Sequence, residues 1–236
     1  MFDNNLIALA LTIVIALAWL RLNDFFAHKG WISSTLSRKI IHIGTGPIFV
    51  LCWLFFNDSP SSPFIASLVP LGITTQFALV GTGVIKDPAA VEAMSRTGDR
   101  KEILYGPLFY GIVFVILTVL FWRTSPVGMV ALMILCGGDG LADVLGKKIR
   151  SFSLPWSRKK TIVGSITMFF GGLLFSSFII SVFTFEGYLP GSLAEYFPVL
   201  VLIAFVAMVV ESLPFSDIDN LTVPLVSVIM GLIFLR

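Results

Sequence analysis

The stretch PVGMVALMILCGGDGLADVLGKK, residues 126–148, decides the fold. Residues 126–145 are mostly apolar, and an α-helix needs about 20 such residues to cross the hydrocarbon core of a bilayer. The same run carries two aspartates among glycines near its end and closes on two lysines. It therefore predicts a transmembrane helix that brings charged residues to one membrane surface.

Seven further runs of the chain are similarly apolar. Hydrophobic residues make up 56% of the 236 residues and charged residues only 13%, and the mean hydropathy is +0.95, whereas a soluble domain is about 25% charged. This composition excludes a soluble enzyme, a disordered chain and a nucleic-acid-binding module. Only helices and closed barrels cross a bilayer, and the alternating pattern of a barrel is absent from the sequence. We therefore predict an all-α polytopic integral membrane protein with about eight transmembrane helices in a single domain, residues 1–236.

Basic residues define the orientation that we expect. The predicted spans are residues 6–22, 40–56, 64–85, 106–122, 126–145, 162–185, 197–213 and 221–235. With these spans, 14 of the 16 Lys and Arg residues fall in the first, third and fifth loops, and only Arg123 and Arg236 fall on the other side. The positive-inside rule makes the odd-numbered loops cytoplasmic. Pro70 and nearby glycines predict a kink or a break in the third span.

An acidic pair marks the cytoplasmic end of the fifth span. Asp139 and Asp143 are four residues apart, so a helix places them on one face, where they repel each other unless a cation lies between them. Mg²⁺ prefers such oxygen ligands. Gly138 and Gly140 carry no side chains, which would let the backbone come close to a phosphate. The alternative is an aspartate cap beside small residues that serve helix packing.

A basic cluster follows within the same loop. Lys147 and Lys148 begin the loop, and Lys159, Lys160 and Thr161 end it just before a predicted helix N-terminus. Free N–H groups and the helix dipole make such a position attractive to anions. The alternative is a membrane anchor that contacts anionic lipid. Because one short loop joins the acidic and basic motifs, we expect a site for a metal and a nucleotide.

Three further motifs lie on the same predicted face. Glu211, Asp217 and Asp219 belong to a cytoplasmic loop without a cation, and they could bind a metal, bind a ribose or accept a proton; the alternative is a solvated turn. Asp99 lies in a loop of mixed charge that is equally compatible with a solvated surface. Arg38 and His42 share a helical face at the membrane edge, where His42 could contact phosphate or be a buried structural histidine.

These motifs resemble the polyprenol kinase family, and most closely its short members, the phytol kinases. The matching pieces are Arg38-Lys39-x-x-His42, Gly98-Asp99-Arg100, Cys136-Gly137-Gly138-Asp139-Gly140-x-Ala142-Asp143-x-x-Gly146-Lys147-Lys148, Lys159-Lys160-Thr161-x-x-Gly164-Ser165, and Glu211-Ser212-Leu213-Pro214 followed by Asp219-Asn220-x-x-Val223-Pro224. They cover roughly residues 38–225. The resemblance implies a multi-span enzyme that uses CTP and Mg²⁺ to phosphorylate a long-chain isoprenoid alcohol.

The resemblance also implies roles for individual residues. The expected catalytic residues are Asp139, Asp143, Glu211 and Asp99. The expected nucleotide-binding residues are Gly138, Gly140, Lys147, Lys148, Lys159, Lys160, Thr161, Arg38 and His42. The expected metal ligands are Asp139, Asp143 and Asp219, with Asp217 nearby.

Two alternative functions stay open at this point. CDP-diacylglycerol synthases share a Gly-Asp motif followed by Lys-Lys-Thr-x-x-Gly, and they use CTP and Mg²⁺ to transfer a cytidylyl group. Their terminal signature, paired glycines before Asp-Arg-x-Asp, is absent, and the acidic segment 211–224 stands in its place. A transporter or channel would carry charged residues near mid-span and paired broken helices, whereas every acid here falls at a span end or in a loop.

The expected partners follow from the kinase resemblance. They are CTP, an isoprenoid alcohol such as phytol and membrane lipids, with no nucleic acid; a homodimer stays open. The resemblance to phytol kinases implies a role in tocopherol biosynthesis. The sequence carries no removable signal and no transit-peptide pattern. We therefore expect a bacterial inner membrane or a thylakoid, with the active site on the cytoplasmic side.

Overall fold

The computed structural model describes residues 1–95, 97–214 and 218–235. The helices within these ranges are α1 Asn5–His28, α2 Ser34–Cys52, α3 Ser62–Thr82, α4 Pro88–Met94, α5 Gly106–Leu120, α6 Pro126–Met133, α7 Gly140–Lys148, α8 Ile162–Phe185, α9 Leu193–Ser212 and α10 Asp219–Phe234. Short 3₁₀ turns occur at Trp53–Phe55 and Arg100–Leu104, and a π-helical turn, Ile134–Asp139, joins α6 to α7. Strands β1 Ser153–Leu154 and β2 Ser157–Thr161 form an antiparallel hairpin between α7 and α8. Arg96, Asp217 and Arg236 lie outside the described residues.

The described residues contain seven helical stretches that are long and apolar enough to cross a membrane. They are Asn5–His28, Thr35–Phe55, Ser62–Thr82, Arg100–Leu120, Pro126–Lys148, Ile162–Phe185 and Leu193–Ser212. The shorter apolar helix α10 is the eighth. The predicted all-α polytopic membrane fold is therefore confirmed, and the predicted span 162–185 coincides with α8.

Local capping interactions define where several of these helices begin. The Thr161 hydroxyl accepts a hydrogen bond from the Gly164 N–H at 3.1 Å and so caps α8 directly after the hairpin. Ser192 and Glu195 form a capping box at the start of α9, in which each side chain satisfies a backbone N–H of the other residue. These caps fix the points at which α8 and α9 leave their loops.

The third span is not broken at Pro70, and a change of helix geometry occurs in the fifth span. Helix α3 is unbroken from Ser62 to Thr82, and the Thr74 hydroxyl donates to the Pro70 carbonyl at 2.6 Å. The fifth span changes from α to π geometry over Ile134–Asp139. π turns are rare and are frequent at functional sites. This π turn contains the glycine–aspartate motif, which supports a functional role for the motif.

The fifth span is the centre of the bundle. In an apolar stretch of 18 residues from this span, 78% of the residues are buried. In the other six long spans, the buried fraction of such a stretch is between 17% and 39%. Its charged end therefore meets the ends of several neighbouring helices.

Arg123 lies at the opposite end of the fifth span. Its guanidinium is buried and donates to the carbonyls of Trp53, at 3.1 Å, and Phe56. It also pairs with Asp58 and lies 4.5 Å from the ring centroid of Tyr188. The second, fourth and sixth loops therefore meet at one end of the bundle, as alternating spans require, and the aspartates lie at the other end.

Candidate active site

Three carboxylates from separate parts of the chain meet at the end of the fifth span that is opposite Arg123. Asp139 ends the π turn, Glu211 lies in the last turn of α9, and Asp219 begins α10. One oxygen atom from each lies within 4.8 Å of the others. Glu211 is buried, and Asp139 and Asp219 are half-buried. We call these three residues the carboxylate group.

Lys160 joins two members of this group. Its Nζ donates to Glu211 and, at 2.8 Å, to Asp219. Burial by itself lowers the pKa of Lys160, but the neighbouring carboxylates outweigh burial and raise this pKa above its usual value. Lys160 is therefore cationic at neutral pH. With all three carboxylates ionised, this single cation balances only one of their negative charges.

The hairpin fixes the position of Lys160. Successive side chains of a strand point to opposite faces, and Lys159 is exposed whereas Lys160 is half-buried against the carboxylate group. The Trp156 indole N–H donates to the Ser212 carbonyl at 3.0 Å, which ties the hairpin to the end of α9. Thr161 caps α8 at the far end of β2. Lys160 is thus held between two anchored points.

His42 faces the carboxylate group from α2. Its Nε2 lies 3.7 Å from an Asp139 oxygen and 3.4 Å from the Leu135 carbonyl oxygen. The Tyr110 hydroxyl donates to the His42 carbonyl at 2.8 Å, and the two ring centroids are 4.5 Å apart. Sequence reasoning missed Tyr110, although a phenol inside an apolar span needs a polar partner.

Asp143 has different neighbours from those that we expected. It pairs with Lys39 of α2 and with Lys147, one turn further along α7, and it is not a member of the carboxylate group. Asp139 and Asp143 do share a face, as their spacing predicts, since both meet α2. Each faces a different basic residue there, Lys39 or His42, rather than one shared cation. The acids that converge here are thus Asp139, Glu211 and Asp219, and the Asp139–Asp143 metal pair stays a prediction.

The glycines of the motif serve helix packing in this structure. Gly138 is buried, and a Cβ atom there would lie 2.8 Å from the Met168 sulfur and 3.0 Å from the Met168 carbonyl oxygen. A Cβ atom at Gly140 would lie 2.5 Å from Ile43. The missing side chains let α8 and α2 pack closely against both glycines, and their contact with a phosphate stays a prediction.

The remaining predicted residues lie around this centre or away from it. Arg38 donates to the Ser95 carbonyl at 2.8 Å and so contacts the third loop. Asp99 is exposed and caps the 3₁₀ turn through the Lys101 N–H at 2.9 Å. Lys147, Lys148 and Lys159 are exposed. Asp99 is not part of the carboxylate group.

The carboxylate group fits a divalent metal ion. Three oxygen donors from different elements converge, and the net charge that Lys160 leaves unbalanced is negative. Mg²⁺ is usually held by one or two carboxylates together with phosphate oxygens and water. The donor set therefore matches the chemistry of Mg²⁺, with Asp139, Glu211 and Asp219 as the residues that could hold it.

The chain is similar to several curated plant kinases. A protein from Triticum aestivum named "Probable phytol kinase, chloroplastic" is 38% identical over 218 residues, which are 92% of this chain and 73% of that protein. "Phytol kinase 1, chloroplastic" from Arabidopsis thaliana is 36% identical over 200 residues, 84% of this chain and 66% of that protein. "Farnesol kinase, chloroplastic" from the same plant is 35% identical over 230 residues, 97% of this chain and 75% of that protein.

Neither a family model nor a solved structure matches the chain. The three relatives are 35–38% identical and align with 84–97% of it. The chain therefore belongs to the polyprenol kinase family, together with these phytol and farnesol kinases, and it is a kinase.

Proposed function

We propose that this kinase transfers the γ-phosphoryl group of CTP to the hydroxyl of a long-chain isoprenoid alcohol such as phytol, giving the alcohol monophosphate and CDP. The names of its relatives, phytol kinase and farnesol kinase, support this class of acceptor. The observation that carries the proposal is the carboxylate group with Lys160, which lies at the end of a bundle of apolar helices. A lipid alcohol can keep its tail in the membrane and present its hydroxyl at such a place.

Asp139, Glu211 and Asp219 are the ligands that we assign to Mg²⁺. The ion, when bound with the nucleotide, would neutralise the phosphate oxygens and hold them for in-line transfer. This assignment keeps Asp139 and Asp219 from the expected metal set and replaces Asp143 with Glu211. In the proposed site Asp143 fixes the positions of the Lys39 and Lys147 side chains through ion pairs.

The lysines of the fifth loop are the residues that we assign to the phosphates. Lys160 lies at the carboxylate group. Lys147 and Lys148 end α7, Lys159 precedes Lys160 in β2, and all three are exposed. Phosphoryl transfer depends mainly on positioning and on electrostatic stabilisation of the transferred group. A cation held at a fixed point by the hairpin supplies both.

The acceptor hydroxyl loses its proton as the new bond to phosphorus forms. The carboxylate group places three acceptors within one small volume, and His42 lies against Asp139. We therefore assign the proton acceptor to this group rather than to Asp99, which is exposed and caps a separate turn. His42 is then a positioning residue for Asp139.

We also propose the side of the membrane on which the site lies. The basic first, third and fifth loops lie at the end of the bundle that holds the carboxylate group, so we assign this end to the cytoplasmic side by the positive-inside rule. The relatives are named chloroplastic, and a chloroplast member of the family would present the corresponding stromal side.

Labelled CTP tests the proposed reaction. Membranes that contain the full chain are supplied with phytol and with CTP labelled at either the α or the γ phosphorus. We expect label from the γ position in the lipid product and none from the α position. The variant Asp139→Asn, with its membrane insertion verified, should transfer no label. Transfer of the α label would instead identify a cytidylyltransferase and would overturn the proposal.

A further inference from the structure

The hairpin lies across the end of the bundle, at the level where the membrane spans end. Residues 149–161 join α7 to α8 and contain both strands, and we call them the hairpin segment. The Ile162 N–H, which begins α8, donates to the Phe152 carbonyl at 3.0 Å. At the tip of the segment, the Trp156 indole reaches the Ser212 carbonyl, where α9 ends. Because α8 and α9 are both long apolar helices, the hairpin segment lies at the membrane surface rather than in the water above it.

Large apolar side chains project from the hairpin segment instead of packing inside the protein. Phe152 is 83% exposed, Trp156 is 56% exposed and Ile149 is 47% exposed, whereas Leu154 is buried. Aromatic residues are enriched at membrane–water interfaces, where their rings lie at the level of the lipid headgroups. The headgroup layer suits these side chains, because it covers their apolar surface while the backbone of the hairpin stays hydrated.

All the charged residues of the hairpin segment are basic. No Asp or Glu occurs from residue 144 to residue 185. Lys160 is neutralised by acids from α9 and α10. Arg150 and Arg158 are exposed, and among the described residues no acidic side chain pairs with either of them. An arginine guanidinium forms paired hydrogen bonds with phosphate oxygens, so these two side chains fit an anionic phosphate-containing partner.

The other two basic loops differ from the hairpin segment because they mix both signs of charge. The first loop contains Asp24, and the third contains Asp87, Asp99 and Glu102 beside its cations. An anionic surface is attracted by the cations of such loops and repelled by their acids. The hairpin segment attracts it without repulsion.

The apolar side chains decide which anion fits the hairpin segment. A soluble phosphate or a nucleotide in water would pair with Arg150 and Arg158 but would leave Phe152 and Trp156 exposed. A lipid surface satisfies both kinds of side chain at once. The phosphate of a zwitterionic lipid is balanced by the ammonium of the same headgroup, whereas an anionic lipid such as phosphatidylglycerol offers a net negative charge. Cations near an anionic membrane surface are attracted to it, and the gain is about fivefold in binding per cation.

The hairpin segment also connects the membrane surface to the candidate active site. Arg158 and Lys160 belong to the same strand, β2, and are two residues apart. Lys160 contacts Glu211 in the carboxylate group, and the Trp156 indole bonds to Ser212, the residue after Glu211. A hairpin that left the membrane surface would therefore draw Lys160 away from the carboxylates.

We propose that the hairpin segment is a docking surface for anionic lipid, with Phe152 and Trp156 in the headgroup layer and Arg150 and Arg158 on lipid phosphates, and that this contact keeps Lys160 at the carboxylate group. The binding of lipid is independent of the reaction. Only its effect on turnover rests on the proposed function. Anionic lipid thus acts as an activator that holds the catalytic hairpin in place.

Fluorescence quenching by brominated lipid tests the docking without any need for activity. The purified full chain is placed in vesicles of equal parts phosphatidylglycerol and phosphatidylcholine, in which one of the two lipids carries bromine on its acyl chains. The emission of Trp156 is obtained as the difference between the protein and its Trp156→Phe variant, with the fold of each verified by circular dichroism. We expect quenching at least twofold stronger when phosphatidylglycerol carries the bromine. Equal quenching by the two lipids, or none, would overturn the proposal.

Two double variants locate the preference. Arg150→Gln with Arg158→Gln should make the two brominated lipids equally effective. Lys86→Gln with Lys101→Gln removes the same charge from exposed positions in the third loop and should leave the preference intact. An equal loss of preference in both double variants would show that the attraction comes from the overall charge of the protein surface, and it would refute a site at the hairpin.

Turnover in vesicles tests the link to Lys160 and does not depend on the Trp156 variant. The kcat for a C20 alcohol is measured in phosphatidylcholine alone and in the equal mixture with phosphatidylglycerol. We expect the wild-type protein and the third-loop double variant to be at least threefold faster in the mixture, and the Arg150→Gln, Arg158→Gln variant to be equally slow in both. Wild-type turnover that ignores phosphatidylglycerol would overturn the link to Lys160. A protein that shows the quenching preference but phosphorylates no alcohol would refute the proposed function alone.

Discussion

Lys160 is the residue on which the electrostatics of the candidate site depend. It lies against Glu211, which is buried, and Asp219, and the hairpin leaves it little freedom to move away. Removing one partner of a buried ion pair leaves an uncompensated charge, which is more destabilising than removing both partners. Lys160 is therefore expected to affect folding as well as phosphoryl transfer.

A double-mutant comparison separates these two effects. We expect Lys160→Gln to lower kcat by about 10²–10³-fold, the usual cost of losing one preorganised electrostatic partner, and to lower the thermal midpoint in detergent. Adding Glu211→Gln should raise the midpoint again, because it removes the charge that Lys160 no longer balances. Activity should stay low in the double variant, since both residues belong to the site. A midpoint that is unchanged in the single variant, or that falls further in the double variant, would contradict this account.

At the scale of the element, the π turn and the hairpin together bring the acidic and basic residues of the site into contact. The π turn brings Asp139 to the end of a buried span, and the hairpin turns Lys160 back toward α9 and α10. The N-terminus of α10 favours Asp219 through the helix dipole. The C-terminus of α9 disfavours the charge of Glu211, which Lys160 balances. The site is thus a meeting point of helix ends.

The packing of the π turn gives a prediction at this scale. Gly138→Ala should destabilise the protein by about 1–3 kcal/mol, the usual cost of overpacking, because its Cβ would press on both the side chain and the backbone of Met168. Turnover should fall with it, since Asp139 is the next residue. Gly72→Ala is the matched control, because a Cβ atom at that position would meet nothing within 4 Å and α3 is regular there. Thermal unfolding in detergent measures both; equal midpoints for the two variants would contradict the packing role.

At the scale of the whole molecule, the two ends of the bundle have different chemistry. At one end, loops pack around the buried Arg123. The other end contains the carboxylate group and the hairpin. A single membrane enzyme therefore offers polar chemistry at one surface and, beneath it, apolar spans. In the proposed reaction, this difference between the two ends would place the nucleotide on one side of the membrane only.

Thiol labelling tests this orientation. The natural Cys52 and Cys136 are buried, so they should react slowly. Phe152→Cys lies at an exposed position beside the hairpin, and Glu186→Cys lies in the exposed loop that follows α8. In inside-out bacterial vesicles, a membrane-impermeant maleimide should label Phe152→Cys and leave Glu186→Cys unlabelled, and intact cells should give the reverse. Labelling of both positions from one side would contradict the eight-span arrangement.

Much of the fold follows from the sequence because the thickness of the bilayer sets the length of each helix. The ends of the helices are less predictable, because polar residues continue a helix beyond the hydrocarbon core. Helix α1, for example, extends to His28 past Arg21 and Asn23, and α9 begins at Leu193, where the Ser192–Glu195 cap starts it.

The family resemblance predicts Asp139 and Asp219 in one site with Glu211 nearby, whereas local spacing by itself could not group them. Asp139, Glu211 and Asp219 are far apart in the chain, and only the packing of the fifth span against α9 and α10 brings them together. The spacing of Asp139 and Asp143 predicts their shared face correctly. It does not reveal that Lys39 of α2 lies opposite Asp143. The role of Gly138 likewise depends on Met168, which no local pattern identifies.

Binding of Mn²⁺ in place of Mg²⁺ tests the central claim most directly, and electron paramagnetic resonance can count the bound ions on the purified chain with CTP present. We predict one bound Mn²⁺ per wild-type chain. Binding should be lost in Asp139→Asn, Glu211→Gln and Asp219→Asn and retained in Asp143→Asn, whose partners are lysines. Binding that survives in Glu211→Gln and Asp219→Asn but disappears in Asp143→Asn would contradict the carboxylate group as the metal site.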